Sequence, residues 1–512
     1  MKDTWRIVGQ IINKSPKCSF PALFSSCTGD VSDPKDISNE FNKYFSTVGS
    51  TLANQIGNTH VSIFDSLPPS TSQSAFFENT DREEVLKIIK SLKDTSSVGV
   101  DGIPTSVIKL SSEVICSPIA SLFNNFLANG CFPNLLKVGK VIPVYKGGER
   151  NIFSNYRPIS LLTNFSKIFE KLIYVRLKSF MAKQNIPSSN QYGFQSHKST
   201  SMAVLEMVDI ITDAMDSKSC AMGLFIDLAK AFDTVDHVIL MKKLSHYGIR
   251  GEPLDLLQDY MNGRKQYVSC SGVNSSVRDI CYGVPQGSIL GPLLFLIYVN
   301  DMTHCSHILE FILFADDTNI FLTNRDANRL YDTINVELVA LSHWFKANKL
   351  SLNISKTNYM LFTNSSKFKQ LCALQNVKID GEIITRVDKC KFLGVIIDDK
   401  ISWKPHILSV TSTVARNLGV MRRVRSKIDS KTTLLLYDTM IVPHFSYCNL
   451  IWANCAKSYL IKLYRLQKRA IRLVFMANKL FHAAPLFRKL LRLNVYDLYH
   501  FQLASFVYIN NN

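Results

Sequence analysis

A pair of adjacent aspartates between two apolar segments limits what this chain can fold into more than any other feature. Asp316 and Asp317 lie within residues 309–322, where most of the surrounding residues are apolar. This pattern predicts two buried strands joined by a tight turn. Aspartate is common in turns, so an ordinary hairpin is one interpretation. Two-residue turns favour Asn-Gly or Asp-Gly, however, because both central residues need positive φ, and two aspartates are costly there unless they bind a cation.

Another aspartate follows an apolar segment upstream. Residues 222–226 predict a buried strand that ends at Asp227, after which the chain turns into a helix. A single aspartate at the end of a strand does not by itself indicate a functional site. On a strand next to Asp316, it would complete the oxygen-rich site that two Mg²⁺ ions about 3.5–4 Å apart require for phosphoryl transfer. We interpret Asp233 and Asp236 as residues that cap or orient the next helix, outside this site.

A turn rich in glycine and proline spans residues 283–292 and precedes an apolar helix. Its glycines would let the backbone approach a ligand closely. The same pattern is typical of a plain helix start with proline near the first turn. Both interpretations are compatible with the residues alone.

The chain is strongly basic, with 59 lysines and arginines against 41 aspartates and glutamates and a formal net charge of +18. This excess indicates a polyanionic partner. Most of it lies after residue 400, where 17 basic residues accompany 3 acidic ones. We therefore expect the C-terminal quarter of the chain to make most of the electrostatic contacts with that partner.

Within residues 461–474, a helical pattern separates an apolar face from a basic one. The basic face could bind nucleic-acid phosphates, which is our prediction, or it could be merely solvated, as charge runs usually are. The apolar face comprises Leu463, Leu466, Ala470 and Leu473, and the basic face comprises Lys462, Arg465, Arg469 and Arg472.

The twelve cysteines contain no Cys-x-x-Cys pair, so we expect reduced thiols rather than a zinc site or a disulfide framework. This usage predicts an intracellular protein, in the nucleus, the cytoplasm or both. The longest apolar stretch, residues 289–299, is far below the roughly 18 residues of a membrane span, and no signal-peptide pattern is present. We therefore expect a soluble chain with no membrane partner.

The 512 residues, 46% of them apolar and 20% charged, predict a folded chain of about three subdomains. Residues 1–74 are polar and irregular and predict a linker or N-terminal extension. A capping box then predicts a helix with Thr80 as N-cap and Glu83 three positions on. Strands are predicted at 138–145 and 158–162, and helices at about 167–183 and 199–215. Residues 221–400 alternate like an α+β sheet domain, residues 401–475 are helical, and residues 476–512 form a helical extension.

Three segments taken together resemble the palm motifs of reverse transcriptases: FADD at 314–317, FIDLAKAFDTVDH at 225–237 and GVPQGSILGP at 283–292. The segment NYRPISLL at 155–162 is similar to the fingers motif of the non-LTR, LINE-type branch, especially the jockey-like elements. Several short motifs in the right order are far more specific than any one of them. The resemblance covers residues 81–474.

The resemblance implies an α+β fold of the right-hand polymerase type. Fingers and palm entry would occupy residues 75–220, the palm 221–400 and a helical basic thumb 401–475, with the reverse transcriptase domain at about 125–397. The implied reaction is two-metal, template-directed addition of dNTPs to a primer 3′-hydroxyl, with an RNA template and a DNA or RNA primer as partners. Oligomeric state stays open.

The resemblance also implies roles for individual residues. Asp227, Asp316 and Asp317 would bind the two Mg²⁺ ions, with the backbone after Asp227 also facing metal. Lys356 matches a lysine that would protonate pyrophosphate, and residues 392–395 resemble a primer grip.

Four further residues match positions that bind the incoming nucleotide. Lys146 and Arg157 would hold its triphosphate, Gln286 would touch the nucleotide, and Phe232 would exclude a ribose 2′-hydroxyl. An ordinary core aromatic is the alternative for Phe232.

This chain departs from the family pattern in two places. Phe314 stands where the family usually has tyrosine, and residues 195–197 lack an arginine that usually follows Gly-Phe, which puts a template or nucleotide contact in doubt. No endonuclease motif precedes residue 80, so we expect no nicking of target DNA by this chain. The main alternative is a non-catalytic RNA-binding relic. An RNA-dependent RNA polymerase is disfavoured by Phe232, and an intron maturase by the lack of an added splicing domain.

Overall fold

The computed structural model describes residue 9 and residues 20–511, apart from 27–28, 58, 96, 366–367 and 369–374. Helices and strands alternate through most of this range, and helices predominate after residue 400. In the described residues the helices are α1 (Pro34–Gln55), α2 (Arg82–Ser91), α3 (Thr105–Leu110), α4 (Ser112–Ala128), α5 (Asn164–Lys183), α6 (Thr200–Asp216), α7 (His237–His246), α8 (Glu252–Met261), α9 (Leu290–Val299), α10 (Ala327–Ala347), α11 (Lys404–Val424), α12 (Ser430–Met440), α13 (Val442–Ser446), α14 (Asn449–Trp452), α15 (Lys457–Val474), α16 (Ala483–Leu490) and α17 (Val495–Asn511). The strands there are β1 (Phe24–Ser26), β2 (Gly29–Val31), β3 (Val138–Tyr145), β4 (Tyr156–Leu161), β5 (Cys220–Ile226), β6 (Lys265–Cys270), β7 (Val273–Asn274), β8 (Arg278–Asp279), β9 (Glu310–Phe314), β10 (Asp317–Asn324), β11 (Asn358–Phe362), β12 (Lys378–Ile379), β13 (Glu382–Ile383), β14 (Thr385–Arg386), β15 (Lys389–Phe392) and β16 (Val395–Asp398).

The central sheet has the strand order β14-β11-β5-β10-β9, and β5 pairs antiparallel with both of its neighbours. Every residue of β5 is buried, as expected for an uncharged strand in the middle of a sheet. Gly223 has a packing role there, because a Cβ at this position would lie 2.7 Å from the Phe321 ring. The predicted strand before Asp227 and the predicted hairpin of β9 and β10 are both present.

A second sheet, of order β4-β3-β6-β7, contains the predicted strand β3. Strand β4 begins at Tyr156, two residues before the predicted strand. Helix α1 packs on this sheet and buries Phe41 and Phe45 beside Phe24. The prediction that residues 1–74 are irregular is therefore wrong for α1. Its apolar residues are sparse but recur at helical spacing, with polar residues between them.

The N-cap of α2 is Asp81 rather than the predicted Thr80. The Asp81 carboxylate accepts a hydrogen bond from the Glu84 backbone N–H, and the Thr80 hydroxyl donates to the Glu84 side chain. Both residues are good caps, and tertiary packing holds Thr80 outside the helix, where its backbone N–H donates to Asn124. Helix α5 also begins earlier than predicted, after its cap Thr163.

The helices after residue 400 bury Trp452, Phe445 and Leu463 in an apolar core that they share with α6 and one face of the central sheet. The prediction of a helical region here is confirmed. In α15, Leu463, Leu466 and Ala470 are buried as predicted, whereas Leu473 is only partly buried. None of the helices in the described part of the chain is both long and apolar enough to cross a membrane.

Candidate active site

The register of the central sheet gathers the predicted aspartates at one end. Thr318 of β10 pairs with Ile226, the last residue of β5, so Asp317 and Asp227 occupy neighbouring positions just beyond that pair. Asp316 precedes Asp317 in the turn between β9 and β10. The pairing brings Asp227 next to the adjacent pair Asp316 and Asp317, which is distant from it in the sequence, as predicted.

The turn itself differs from the predicted one. Phe314 pairs with Asp317, so the two central turn residues are Ala315 and Asp316, and Asp317 already belongs to β10. Ala315 has a φ of 56°, which an alanine adopts at a steric cost. The assumption that both aspartates occupy central turn positions is therefore wrong, because the strand register is shifted by one residue from the predicted one.

Gln191 supports this turn and was missed from the sequence. Its buried side-chain oxygen accepts hydrogen bonds from the backbone N–H groups of Ala315, at 2.9 Å, and Gly193, at 2.8 Å. A Cβ at Gly193 would lie 2.4 Å from the Ala315 nitrogen, so glycine allows the two segments to touch. The segment Gln-Tyr-Gly before Phe194 has no local pattern that indicates this long-range contact.

Negative charge is crowded at the carboxylates. Burial, together with the carboxylates of Asp316 and Asp227, raises the pKa of Asp317 to about 6, although Lys146 and Arg157 act in the opposite direction. Burial also raises the pKa of Asp316, again against the effect of Arg157 and Lys146. A bound divalent cation would relieve this repulsion.

The loop before β11 holds Asp227 in place. The Asn353 side chain donates to the Asp227 carboxylate at 2.9 Å, and the Asn353 backbone N–H donates to the Asp227 carbonyl at 2.9 Å. The Lys356 ammonium lies 4.0 Å from the same carboxylate, so the predicted lysine does reach the site. Asn353 was missed, although it stands three residues before Lys356 in a segment already singled out for that lysine.

The three aspartates fit Mg²⁺ by donor type, since magnesium prefers carboxylate oxygens and the repulsion between these groups favours a cation. Within the described ranges, however, no three acidic, histidine or cysteine side chains are already arranged to hold a metal ion. The Asp227 carboxylate is instead engaged by Asn353. The donors are thus gathered at one sheet end, but their side chains do not converge on one point.

Two predicted nucleotide-binding cations come from the second sheet. Arg157 on β4 pairs with Val144 of β3, and Lys146 follows β3 directly. Both side chains are exposed and lie close enough to the aspartates to oppose the rise in the pKa of Asp316 and Asp317. Their predicted role in holding a triphosphate stays a prediction.

The 283–292 turn, which carries Gln286, crosses the segment after β5 that carries Phe232. The Phe232 ring stacks on Phe295 with 4.4 Å between centroids, and its carbonyl accepts from the Val284 N–H. Gln286 donates to the Asp233 carboxylate at 2.8 Å. Burial raises the pKa of Asp233 to about 6. The cap of the next helix is Asp236, whereas the Asp233 carboxylate accepts from Gln286, so Asp233 is not a helix cap.

Asp236 does cap α7, as predicted, since its carboxylate accepts from the backbone N–H groups of Val238 and Ile239. Two glycines of the 283–292 turn allow close contacts within the chain. A Cβ at Gly283 would lie 2.8 Å from the Asp233 backbone, and one at Gly287 would lie 2.6 Å from the Ser160 oxygen. In both places glycine admits another part of this chain.

Residues 392–395 form the tight turn of the β15–β16 hairpin. A cavity of about 210 Å³ separates this hairpin from the carboxylates, and it is lined by Asp227, Asp317, Lys356, Phe392 and Leu393 among others. The predicted primer grip is therefore next to the predicted metal ligands.

The basic face of α15 is separate from the carboxylate cluster. Lys462, Arg465 and Arg469 are exposed, opposite the buried face of the same helix. Arg472 is half-buried and its Nε donates to the Phe481 carbonyl at 2.7 Å. Three of the four predicted residues are thus fully available to a phosphate backbone, and Arg472 is already partly engaged.

Carboxylates gathered at one end of a sheet, with lysine and arginine beside them, are typical of metal-dependent enzymes that transfer phosphoryl groups, a class that includes the nucleic-acid polymerases. Residues 144–397 match the family model described as reverse transcriptase (RNA-dependent DNA polymerase). The chain therefore contains a reverse transcriptase domain over these residues, and the resemblance seen in its sequence is confirmed.

The chain is similar to proteins of LINE-type transposons. A probable RNA-directed DNA polymerase from transposon X-element of Drosophila melanogaster is 29% identical over 424 residues, which cover 81% of this chain and 46% of that protein. The RNA-directed DNA polymerase from mobile element jockey of Drosophila funebris is 28% identical, over 76% of this chain and 43% of its own length. The chain thus spans less than half the length of these curated relatives.

Proposed function

We propose that this chain is the RNA-directed DNA polymerase of a non-LTR retrotransposon, which adds dNTPs to a primer 3′-hydroxyl on an RNA template. The observation that carries the proposal is the arrangement of Asp227, Asp316 and Asp317 at one end of the central sheet, with Lys146 and Arg157 beside them. The relatives named above are described as RNA-directed DNA polymerases, which supports the same reaction.

The proposed chemistry depends on two Mg²⁺ ions held by the three aspartates. When bound, they supply positive charge that lowers the pKa of the primer 3′-hydroxyl and stabilises the leaving pyrophosphate. Asn353 orients the Asp227 carboxylate for this task through its hydrogen bond. Lys146 and Arg157 neutralise the triphosphate oxygens, and Lys356 is placed to donate a proton to pyrophosphate.

Other parts of the chain would select and hold the substrates. Phe232 would lie beneath the sugar of the incoming nucleotide, and Gln286, fixed by Asp233, would contact that nucleotide. The helices of residues 401–475 would act as a thumb that grips template–primer phosphates through α15. Fingers at 75–220 and a palm at 221–400 complete the proposed right-hand arrangement.

A primer-extension assay with an RNA template, a DNA primer and Mg²⁺ tests the proposal. We expect wild type to extend the primer, and Asp316→Asn or Asp227→Asn to lose well over tenfold, because metal catalysis contributes several kcal/mol. RNA binding and the unfolding transition should be nearly unchanged, since neither change empties a core position. Asp332→Asn, on the exposed side of α10, is the matched control.

Two results would count against the proposal. Activity within about tenfold of wild type in both aspartate variants would remove these residues from metal binding. A wild-type protein that binds RNA but never extends a primer would instead be the non-catalytic relic.

A further inference from the structure

An open groove with an exposed phenylalanine lies beside the proposed nucleotide site. The groove runs between α5 and the start of α9, has a volume of about 340 Å³ and includes Phe194 in its lining. The Phe194 side chain is 56% exposed. Its φ is 55°, a left-handed conformation that a bulky residue rarely adopts. A large apolar ring is therefore presented to solvent on a strained backbone, which indicates a function for the ring.

Buried contacts fix the base of this phenylalanine. Gly193, directly before it, packs against Ala315 of the β9–β10 turn, and Gln191 hydrogen-bonds both of these residues. The Phe194 ring also lies edge-on to Phe232, with 6.4 Å between centroids. The exposed ring is thus held in a fixed position relative to the carboxylates and to Phe232, which is proposed to lie beneath the sugar of the incoming nucleotide.

The groove is basic as well as apolar. Lys171 and Lys178 of α5 line it, and their ammonium groups lie 4.7 and 5.7 Å from the Tyr174 ring centroid. Lys178 also donates to the Ser196 hydroxyl at 2.7 Å. Among the described residues that line the groove, none is acidic. Cations and an exposed aromatic ring in one groove match the way proteins bind single-stranded nucleic acid, with bases stacked on rings and phosphates neutralised.

The far end of the groove reaches Ser288 and Ile289, in the same turn as Gln286. We propose that this groove binds the unpaired RNA template strand just ahead of the primer end. One template base stacks on Phe194, and Lys171 and Lys178 contact the adjoining phosphates. An unpaired strand is the fitting occupant, because an open ring face accepts a base only when that base is not already stacked within a duplex. The proposal rests on the proposed polymerase function.

A binding measurement without divalent cations tests the groove independently of catalysis. The full chain is titrated into fluorescent RNA–DNA primer–template hybrids that are either blunt or carry an RNA template overhang of increasing length. We expect the first overhanging nucleotides to tighten binding by about five- to a hundredfold, the range that base–aromatic stacking supports. Phe194→Ala should lose most of this gain and bind the blunt hybrid like wild type.

Control variants separate stacking from charge. Phe501→Ala removes a 60% exposed phenylalanine on α17. This variant should keep the full increase in affinity that the overhang gives. Abasic overhang nucleotides should abolish the part that depends on Phe194. Lys171→Gln and Lys178→Gln should each reduce the salt dependence of overhang binding by up to about 0.7 units of slope. If Phe194→Ala does not fold, Phe194→Leu keeps an apolar side chain and should lose the same gain.

An overhang gain that survives in Phe194→Ala or Phe194→Leu would overturn the proposal and leave the groove to another partner, such as a protein segment. Failure of the polymerase proposal looks different. If the chain shows the Phe194-dependent increase in affinity but never extends a primer, the groove proposal stands and the polymerase proposal fails.

Discussion

Contacts of both its ring and its backbone hold Phe232 in place. It stacks on Phe295, meets Phe194 edge-on, and accepts a hydrogen bond from Val284 through its carbonyl. The side chain is half-buried, so it packs like a core residue while part of it stays accessible. These contacts are compatible with a sugar gate and with an ordinary packing role, and the two roles predict different behaviour.

Phe232→Val separates these roles. At a gate, the smaller side chain should admit ribonucleotides while use of deoxynucleotides survives, because the ring no longer blocks the 2′-hydroxyl. At a purely structural position it should cost a few kcal/mol of unfolding free energy without changing sugar preference. Steady-state incorporation of both nucleotide types decides between them. A variant that rejects ribonucleotides as strongly as wild type would exclude Phe232 from the site.

Among the elements, α1 contacts the segment that carries Phe232. A Cβ at Gly49 would lie 2.2 Å from the Asp233 carbonyl oxygen and 2.8 Å from the Tyr282 Cβ. The close approach is possible only because residue 49 has no side chain. Helix α1 thus packs directly against the segment that carries Phe232 and Asp233 in the candidate site.

We predict that Gly49→Ala lowers the unfolding free energy by about 1–3 kcal/mol, the usual cost of overpacking, because helix and Asp233 segment must separate. Urea unfolding of both proteins measures the change. Gly419→Ala is the matched control, since nothing lies within 4 Å of a Cβ there and alanine favours the helix. Equal effects of the two substitutions would contradict the contact.

The basic face of α15 gives a second prediction at this scale. Replacing Lys462, Arg465, Arg469 and Arg472 with glutamine should weaken template–primer binding and flatten its salt dependence. The slope should fall by about 0.7–0.9 units for each phosphate that the variant no longer neutralises. Arg472 should contribute least, because it already donates to the Phe481 carbonyl. Titrations at several salt concentrations provide the measurement, with exposed Lys87→Gln as control. An unchanged slope would mean that the face is only solvated.

Across the whole molecule, buried polar groups connect elements that are distant in sequence. Lys243 of α7 and Asp301 form a fully buried ion pair, and Trp344 of α10 donates to the same carboxylate. His406 of α11 packs against Trp452 and accepts a hydrogen bond from the Ile396 N–H of β16. The first contacts join α7 and α10 to the segment after α9, and the second join α11 to α14 and to the β15–β16 hairpin.

The buried His406 predicts a pH dependence of stability. Burial lowers its pKa from 6.5 to about 4, so the folded chain keeps this imidazole neutral where the unfolded chain protonates it. The free energy of unfolding that neutral His406 contributes is therefore fully present above pH 6.5. It is lost as the pH falls towards 4, by up to about 3 kcal/mol. His406→Gln keeps a hydrogen-bond acceptor but does not titrate. Between neutral pH and pH 4, urea unfolding should show a smaller loss for the variant, and parallel losses would contradict the assignment.

Local patterns in the sequence were enough to predict β5, the β9–β10 hairpin and the two faces of α15. Each depends on residues close together in the chain, where apolar periodicity reports directly on burial. The aspartates were found for the same reason, since each stands at the end of such a pattern. Helix α1 was missed because its apolar residues are few, and their burial against the second sheet is a long-range effect.

The contacts that assemble the site could only come from the tertiary structure. Gln191 reaches Ala315, and Asn353 reaches Asp227, across more than a hundred residues of chain. The sheet register also decides that Ala315, and not Asp317, occupies the turn. Sequence thus specified which residue types carry the chemistry and roughly where strands and helices form, because those depend on local periodicity. Which backbone groups and side chains hold the aspartates in place depended on packing between distant segments, for which no local pattern exists.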